Sequence, residues 1–378
     1  MVSKSKREYL AKIKDRYRHA GRRAKSRILD EFCAVCGHHR KHAIRLLSKD
    51  GRKKKKKPGR PSKYSVDEIQ VLEDVWLCSN RPCASRLTGM IPLWLPHYEN
   101  HHGYLEKSVR ENLLDIKPRT LDRLLCHIRK KHGKHGLSGT RPGSYLKNSI
   151  PIKISHYDVT EPGNIQADLV AHCGGSLEGN FAWTLTFTDV FTGWTENGAT
   201  WNKGQYGVFE VLKRIEETLP FRMKSFHTDN GGEFINHHLH SYYRDRDVPI
   251  EFTRGRPGRC NDNPHVEQKN DTHVRKLLGY SRINQKSLIH EMNELYEASN
   301  LLNNFFCTNH KLIFKERRGA SYYKKYDKPI TPCQRLLASD SLSQLHKTHL
   351  TEIMINLDPY KLNTLIDAKV RSILGKLR

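Results

Sequence analysis

The chain has 378 residues, and at roughly 150 residues per domain this length predicts several domains instead of one compact unit. Its 66 Lys and Arg outnumber its 40 Asp and Glu, and the formal charge of +26 favours a polyanionic partner, above all nucleic acid, over a neutral small molecule. Hydrophobic residues make up 37% of the chain, which suffices for a core. No apolar run approaches the ~20 residues of a membrane helix, and no secretion signal follows the basic N-terminus, so we expect a cytoplasmic protein.

Positive charge is concentrated at the front of the chain. The first 63 residues hold 23 Lys and Arg against five Asp and Glu, which accounts for +18 of the total. We assign residues 1–57 to a basic DNA-binding region. Residues 58–63, which begin with Pro-Gly-Arg-Pro after five lysines, are interpreted as a linker. Arg60 in this linker is a candidate for insertion into a narrow minor groove, and a solvated linker is the alternative.

The segment 29–47 has the pattern of a helix-turn-helix. An apolar helix ends at Gly37, and the next helix turns Ala43, Leu46 and Leu47 inward. Its outward residues would contact DNA bases and phosphates. These candidates are His38, His39, Arg40, Lys41 and Arg45.

Two other interpretations of this segment stay open. Cys33, Cys36, His38 and His42 have the residue types of a zinc site, and an ordinary helical hairpin with a solvated basic face also fits. We favour the helix-turn-helix because both cysteines fall where it needs small buried residues, and free cysteine is among the most buried residue types.

Residues 64–150 form a second helical region with a weaker DNA-binding signal. A helix near residue 120, with Thr120 as its N-cap, would expose Arg123 to a nucleic acid. The loop from Gly139 to Gly143 closes the region before a block rich in strands begins.

The block 151–280 alternates strands and helices and is predicted to be the catalytic domain. Strands are expected at 164–171, 181–189, 194–200 and 223–228, with a helix at 205–219 and a further helix and strand before residue 254. The second strand alternates large apolar residues with Thr184, Thr186 and Thr188, which predicts a half-buried strand.

Three acids stand at characteristic places in this block. Asp168 lies within the first strand, Asp229 ends the fourth, and Glu267 lies in the first turns of a helix opened by Pro264. Ligand-binding groups gather at the carboxyl ends of strands in open α/β sheets. Asp189, Glu233 and Asp262 are interpreted as caps or surface acids.

Three segments of this block match a known pattern: residues 165–170, Thr-Asp-Asn-Gly-Gly-Glu-Phe at 228–234, and Asn-Asp-Asn-Pro-His-Val-Glu-Gln at 261–268. In these segments the chain resembles the DDE transposases of bacterial insertion sequences and the retroviral-type integrases. The resemblance implies a ribonuclease H-like core with a mixed five-stranded sheet and gives the catalytic roles to Asp168, Asp229 and Glu267. It implies a transposase that binds double-stranded DNA at the ends of a mobile element, cleaves it and joins the 3′-hydroxyls to target DNA, acting as a homo-oligomer. An inactive DNA-binding repressor and a structure-selective nuclease are the alternatives.

Phosphodiester chemistry supports this assignment of the acids. Two divalent ions held by carboxylates can activate the attacking oxygen and stabilise the leaving one. A sparse carboxylate site on a basic protein fits Mg²⁺ better than zinc, with Mn²⁺ as a substitute.

Several neighbours are candidates to assist this site. His172, four residues after Asp168, and Asn230 would support the carboxylates, although a packed histidine is the alternative for His172. Asp271 and Val274 occupy the places where viral integrases carry DNA-binding lysines after the helical glutamate. We therefore predict phosphate contacts from the loop 254–263 and from the nearest lysine of the helix, with a solvated charged loop as the alternative. These residues are Arg254, Arg256, Arg259 and Lys269.

Residues 281–378 are predicted to be basic and mostly helical. Apolar residues at helical spacing predict a helix over 288–306, and Asp358-Pro359 opens a last helix suited to self-association. Between them, 311–328 interleaves lysines and arginines with tyrosines, a composition typical of nucleic-acid contacts and also of a charged connector.

Overall fold

The computed structural model of the chain describes residues 3–48, 63–132, 159–228, 234, 237–254 and 263–377. The chain divides into two compact units, Met1–Lys63 and Tyr64–Arg378. The division coincides with the end of the predicted linker. Within the described residues, no helix is both long and apolar enough to cross a membrane.

In the described part of the first unit, three helices pack around a small core of their own. They are α1 (Ser3–His19), α2 (Arg22–Cys36) and α3 (Arg40–Ser48). Gly37 ends α2 in a left-handed conformation with φ of 66°, as expected for a residue without a Cβ. Cys36, Ala43 and Leu47 are buried in one cluster with Phe32, and Leu46 is half-buried against this cluster. Burial of Ala43 and Leu47 agrees with the predicted inward face of α3.

Four helices open the second unit, and the predicted start of one of them is wrong. They are α4 (Val66–Cys78), α5 (Ala84–His102), α6 (Lys107–Leu114) and α7 (Pro118–Lys131). The N-cap of α7 is Lys117 instead of Thr120, because Pro118 supplies the fixed backbone angle and the missing N–H that suit the first helical position.

The centre of this unit is a mixed five-stranded sheet, as predicted. Its order is β3-β2-β1-β4-β5; β1 pairs antiparallel with β2 and parallel with β4, and β5 runs parallel to β4. The strands are β1 (Asn164–Ala171), β2 (Ala182–Asp189), β3 (Thr195–Trp201), β4 (Ser225–Thr228) and β5 (Glu251–Arg254). Helices α8 (Gln205–Thr218) and α9 (His237–Arg244) alternate with the later strands. After the sheet follow α10 (Pro264–Lys269), a π-helical turn (Asn270–Arg275) and α11 (Lys276–Leu278).

The prediction that β2 is half-buried is wrong, because helices cover both faces of the sheet. Leu185 and Phe187 pack in the core under α8, while Thr184, Thr186 and Thr188 are at most 1% exposed on the opposite face. Their hydroxyls are satisfied by polar partners, which permits burial of a polar strand face. The Thr184 hydroxyl, for example, lies 2.7 Å from the phenol oxygen of Tyr296.

The C-terminal region is mostly helical, as predicted, and it shares a core with the first helices of this unit. Its helices are α12 (Leu288–Phe306), α13 (Pro332–Leu337), α14 (Gln344–Asn356) and α15 (Pro359–Gly375). Trp94 of α5 is fully buried, contacts the rings of Phe306 and Tyr360, and donates its indole N–H to the Phe306 carbonyl at 3.1 Å. The predicted boundaries at 150 and 280 therefore fall within one compact unit and stay predictions.

One element of this region is not helical. The basic, tyrosine-rich stretch folds into a two-stranded antiparallel hairpin, β6 (Leu312–Arg318) and β7 (Ser321–Tyr326).

A row of asparagines on α12 closes the β3 edge of the sheet. Asn293, Asn300 and Asn304 each accept a hydrogen bond from a backbone N–H of β3 and donate one to a backbone carbonyl of the same strand. The three N–H groups belong to alternate residues of β3, Ala199, Asn197 and Thr195. The helix thus satisfies an edge that would otherwise expose unpaired backbone groups.

Candidate active site

Asp168 lies on β1, between β2 and β4 in the sheet. Ile165 and Ala167 of the same strand enter the core with α8, so the alternation of side chains turns the half-buried Asp168 to the opposite face. Ala167 pairs with Thr228, the last residue of β4. The strand that leads to Asp229 therefore ends beside Asp168.

Glu267 is held on the same face of the sheet by the start of α10. Pro264 opens the helix, the fully buried Val266 anchors it, and the His265 N–H donates to Oε1 of Gln166 on β1 at 3.1 Å. Burial, and then the charge of Asp168, raise the pKa of Glu267 above its ordinary value. The fold thus brings together two acids that are separated by almost a hundred residues.

Asn270 is a residue of this site that the sequence analysis missed. Its Nδ2 donates to Oδ2 of Asp168 at 2.7 Å, while Oδ1 of Asp168 accepts from the Leu169 N–H at 2.8 Å. Its position three residues after Glu267, on the same helical face, was the available signal. Asn270 lies in the π-helical turn, and such turns are frequent at functional sites.

Several other predicted site residues, or their side chains, lie outside the part of the chain that the structure describes. The backbone of Arg254 ends β5, and its side chain is not described. The residues that lie outside the described ranges are Arg60, Asp229, Asn230, Arg256 and Arg259. Their roles stay predictions.

The two carboxylates fit a divalent cation. Within the described ranges, which contain Asp168 and Glu267 but not Asp229, no three His, Cys, Asp or Glu side chains form a metal-binding group. The charge of Asp168 nevertheless opposes ionisation of Glu267. A divalent cation between the carboxylates would relieve this repulsion, and carboxylate oxygens are ligands that Mg²⁺ prefers.

Lys269 is turned toward the protein interior. Its Nζ lies 3.4 Å from Nε2 of the buried His273, and burial, followed by the charge of Arg86, lowers the pKa of Lys269 to about 7. The DNA contact predicted for Lys269 stays a prediction, which this inward position does not favour.

His172 packs inside the protein, as in the alternative interpretation of this residue. It is fully buried, and its Nε2 lies 2.8 Å from the hydroxyl of Thr184, which in turn contacts Tyr296. Burial, followed by the charge of Arg275, lowers the pKa of His172 to about 3. The histidine is therefore neutral in the folded protein over the physiological range.

The depressed pKa of His172 predicts a pH-dependent stability. The unfolded chain protonates this residue near pH 6.5, whereas the folded chain protonates it only at about pH 3. The free energy of unfolding therefore falls by about 1.4 kcal/mol for each pH unit between pH 6.5 and about pH 3. Between pH 7.5 and 5, His172→Gln should lose about 2 kcal/mol less than wild type in urea unfolding. His290→Gln, at an exposed position of α12, is the control. Identical pH profiles for wild type and His172→Gln would contradict the assignment.

The residues predicted to read DNA in the first unit differ in their exposure and in their contacts with other side chains. His38 packs on Phe32 with 5.7 Å between ring centroids, and Arg40 forms an ion pair with Asp30 and donates to Ser26 at 2.7 Å. The exposed residues of the predicted set are His39, Arg40, Lys41 and Arg45, together with Arg123 on α7 of the second unit. The described part of the first unit, which includes Cys33, Cys36, His38 and His42, contains no metal-binding group of three such side chains.

Comparisons with known proteins give a sequence relative and distant structural likenesses. No family model matches the chain. Over 337 residues the chain is 36% identical to the uncharacterized protein y4rM of Sinorhizobium fredii, and this match covers 87% of the present chain and 94% of y4rM. The HTLV-2 integrase catalytic core domain, solved in complex with magnesium in a dimeric form, matches 40% of this chain and 92% of its own with 14% identity and a TM-score of 0.29.

Proposed function

The chain belongs to the family of the uncharacterized protein y4rM of Sinorhizobium fredii, and we propose that it is a DNA transposase of the DDE type. One observation carries the proposal: Asp168 on β1 and Glu267 on α10 lie on one face of the sheet, where burial and then the charge of Asp168 raise the pKa of Glu267. The strand order, with three antiparallel strands followed by two parallel ones, supports a ribonuclease H-like core.

We assign metal binding to Asp168, Asp229 and Glu267. Bound Mg²⁺, or Mn²⁺ in its place, would activate the attacking oxygen and stabilise the leaving oxygen of the phosphodiester. The chain's own contribution is orientation, because Asn270 and the Leu169 N–H each donate to one oxygen of Asp168. A carboxylate held at both oxygens loses little freedom when it binds a cation.

The partner in this proposal is double-stranded DNA, at the element ends and at the target. The charge of +18 in the first 63 residues supports phosphate binding, and we assign α2 and α3 to a helix-turn-helix in which Lys41 and Arg45 face the DNA. The joining of two DNA ends requires more than one protomer, so we propose a homo-oligomer that acts on the bacterial nucleoid in the cytoplasm.

The test is strand cleavage and joining on labelled duplexes that carry the flanking ends of the element. We expect cleaved and joined products with Mg²⁺ or Mn²⁺ and none with EDTA. Binding without cleavage in either metal would indicate a repressor, and cleavage without joining would indicate a structure-selective nuclease.

A further inference from the structure

We propose that the β6–β7 hairpin is a second DNA-binding surface, formed by residues that belong neither to the carboxylate site nor to the first unit. The strands have five and six exposed residues, respectively. Phe314, Tyr322, Tyr323 and Tyr326 are 45–50% exposed, although large aromatic residues usually contribute to a core. The hairpin therefore presents two faces that the protein itself leaves largely uncovered.

The two faces differ in charge. Cross-strand partners share a face, so Lys315 with Lys324 and Arg317 with Tyr322 lie on one side, which we call the cationic face. The opposite, mixed face carries Phe314, Glu316, Arg318, Tyr323 and Lys325. Side-chain contacts agree with this division, since Lys315 lies 4.6 Å from the centre of the Tyr322 ring and Arg318 lies 4.4 Å from that of Tyr323.

The cationic face is suited to a polyanion. Like charges directly opposite each other destabilise a hairpin, and Lys315 stands directly opposite Lys324. Glu316 lies on the mixed face, where it pairs with Arg318 at 2.8 Å, and the cationic face contains no carboxylate. Three cations beside a tyrosine match a phosphate backbone, and a two-stranded ribbon fits the major groove, which is roughly 12 Å wide.

The base of the hairpin is fixed, so its faces have a defined orientation. Asp327 accepts from the Lys311 N–H at 2.6 Å and forms an ion pair with Arg335 of α13. The Lys311 ammonium lies 4.0 Å from the centre of the Phe191 ring, in the turn after β2. An isolated hairpin would be only marginally stable, and this base provides the support that it needs.

The first test uses adjacent tyrosines on opposite faces of the full-length protein. A photo-crosslinking phenylalanine analogue placed at Tyr322 should crosslink to a labelled duplex several-fold more than the same analogue at Tyr323. Crosslinking does not require catalysis, so a protein that never cleaves DNA can still confirm this surface. Equal yields at both positions, or no yield at Tyr322, would overturn the proposal.

The second test compares charge-matched double variants. Lys315→Gln with Lys324→Gln should reduce the slope of log affinity against log salt by about 2, since each phosphate contact contributes about 0.9. Arg318→Gln with Lys325→Gln removes the same charge from the mixed face and should leave the slope unchanged. Equal changes of the slope in both double variants would show that only the total charge of the protein affects DNA binding. Displacement of the duplex by polyglutamate at equal charge would show that the surface does not select DNA. Either result would overturn the proposal.

Discussion

The variant Asp168→Asn is expected to cleave DNA roughly 10³-fold more slowly than wild type in the presence of Mg²⁺, with unchanged affinity for DNA. Loss of a carboxylate that holds the metal removes several kcal/mol of transition-state stabilisation, and each 1.36 kcal/mol corresponds to a factor of ten. The assay is single-turnover cleavage of a labelled duplex, together with a binding titration.

The site should remain folded in this variant. Asn270 donates through Nδ2 to Asp168, and its Oδ1 is buried without a hydrogen-bond partner. A rotation of the Asn270 amide would let Oδ1 accept from the new amide at position 168. Affinity for DNA that falls together with the rate would therefore indicate a wider defect than the loss of one metal ligand.

Glu267→Gln and Asp271→Asn form the matched comparison. Both remove one negative charge from the same helical segment, but Glu267 is the residue whose pKa is raised by burial and by the charge of Asp168, while Asp271 lies one turn later on the exposed surface. We expect Glu267→Gln to be as impaired as Asp168→Asn and Asp271→Asn to be close to wild type. A full rate in Glu267→Gln would remove this residue from the proposed metal site.

Asn304→Ala is expected to destabilise the second unit by about 2–6 kcal/mol, because a buried polar group left without a partner costs about 1–3 kcal/mol. Oδ1 of Asn304 accepts from the Thr195 N–H, and Nδ2 donates to the Thr195 carbonyl, both at 2.9 Å. The amide also donates to Oε1 of Glu196, a residue whose pKa burial raises to about 7. Urea unfolding at neutral pH measures the loss.

Asn303→Ala is the control for this variant. Asn303 is the preceding residue of α12, but its amide donates only to Ser299, one turn earlier in the same helix. We expect a loss of about 1 kcal/mol or less, since no backbone group of the sheet loses its partner. Equal losses of stability in the two variants would mean that the hydrogen bonds between Asn304 and β3 contribute no more to stability than a bond within α12.

Local sequence signals were sufficient for several elements. The limits of β1 and α12 follow from apolar periodicity, and Asp358 caps α15 by accepting from the N–H groups of Tyr360 and Lys361, as its position before Pro359 predicts. The order of Asp168, Asp229 and Glu267 along the chain also required no structure. Such features depend on residues close in sequence, so the sequence contains the whole signal.

Only the tertiary structure determined which polar residues are buried and which cations are available. Thr184 and Asn304 would pass in sequence for surface residues, yet contacts with elements distant along the chain bury them. Burial and then the charge of Arg86, a residue distant in sequence, lower the pKa of Lys269. The contact between Asn270 and Asp168 likewise joins positions 102 residues apart. The sequence by itself determined several of the elements and the order of the acids, because periodicity and capping act over a few residues. Packing between distant segments decided the environment of each side chain, because burial and charge depend on which elements meet.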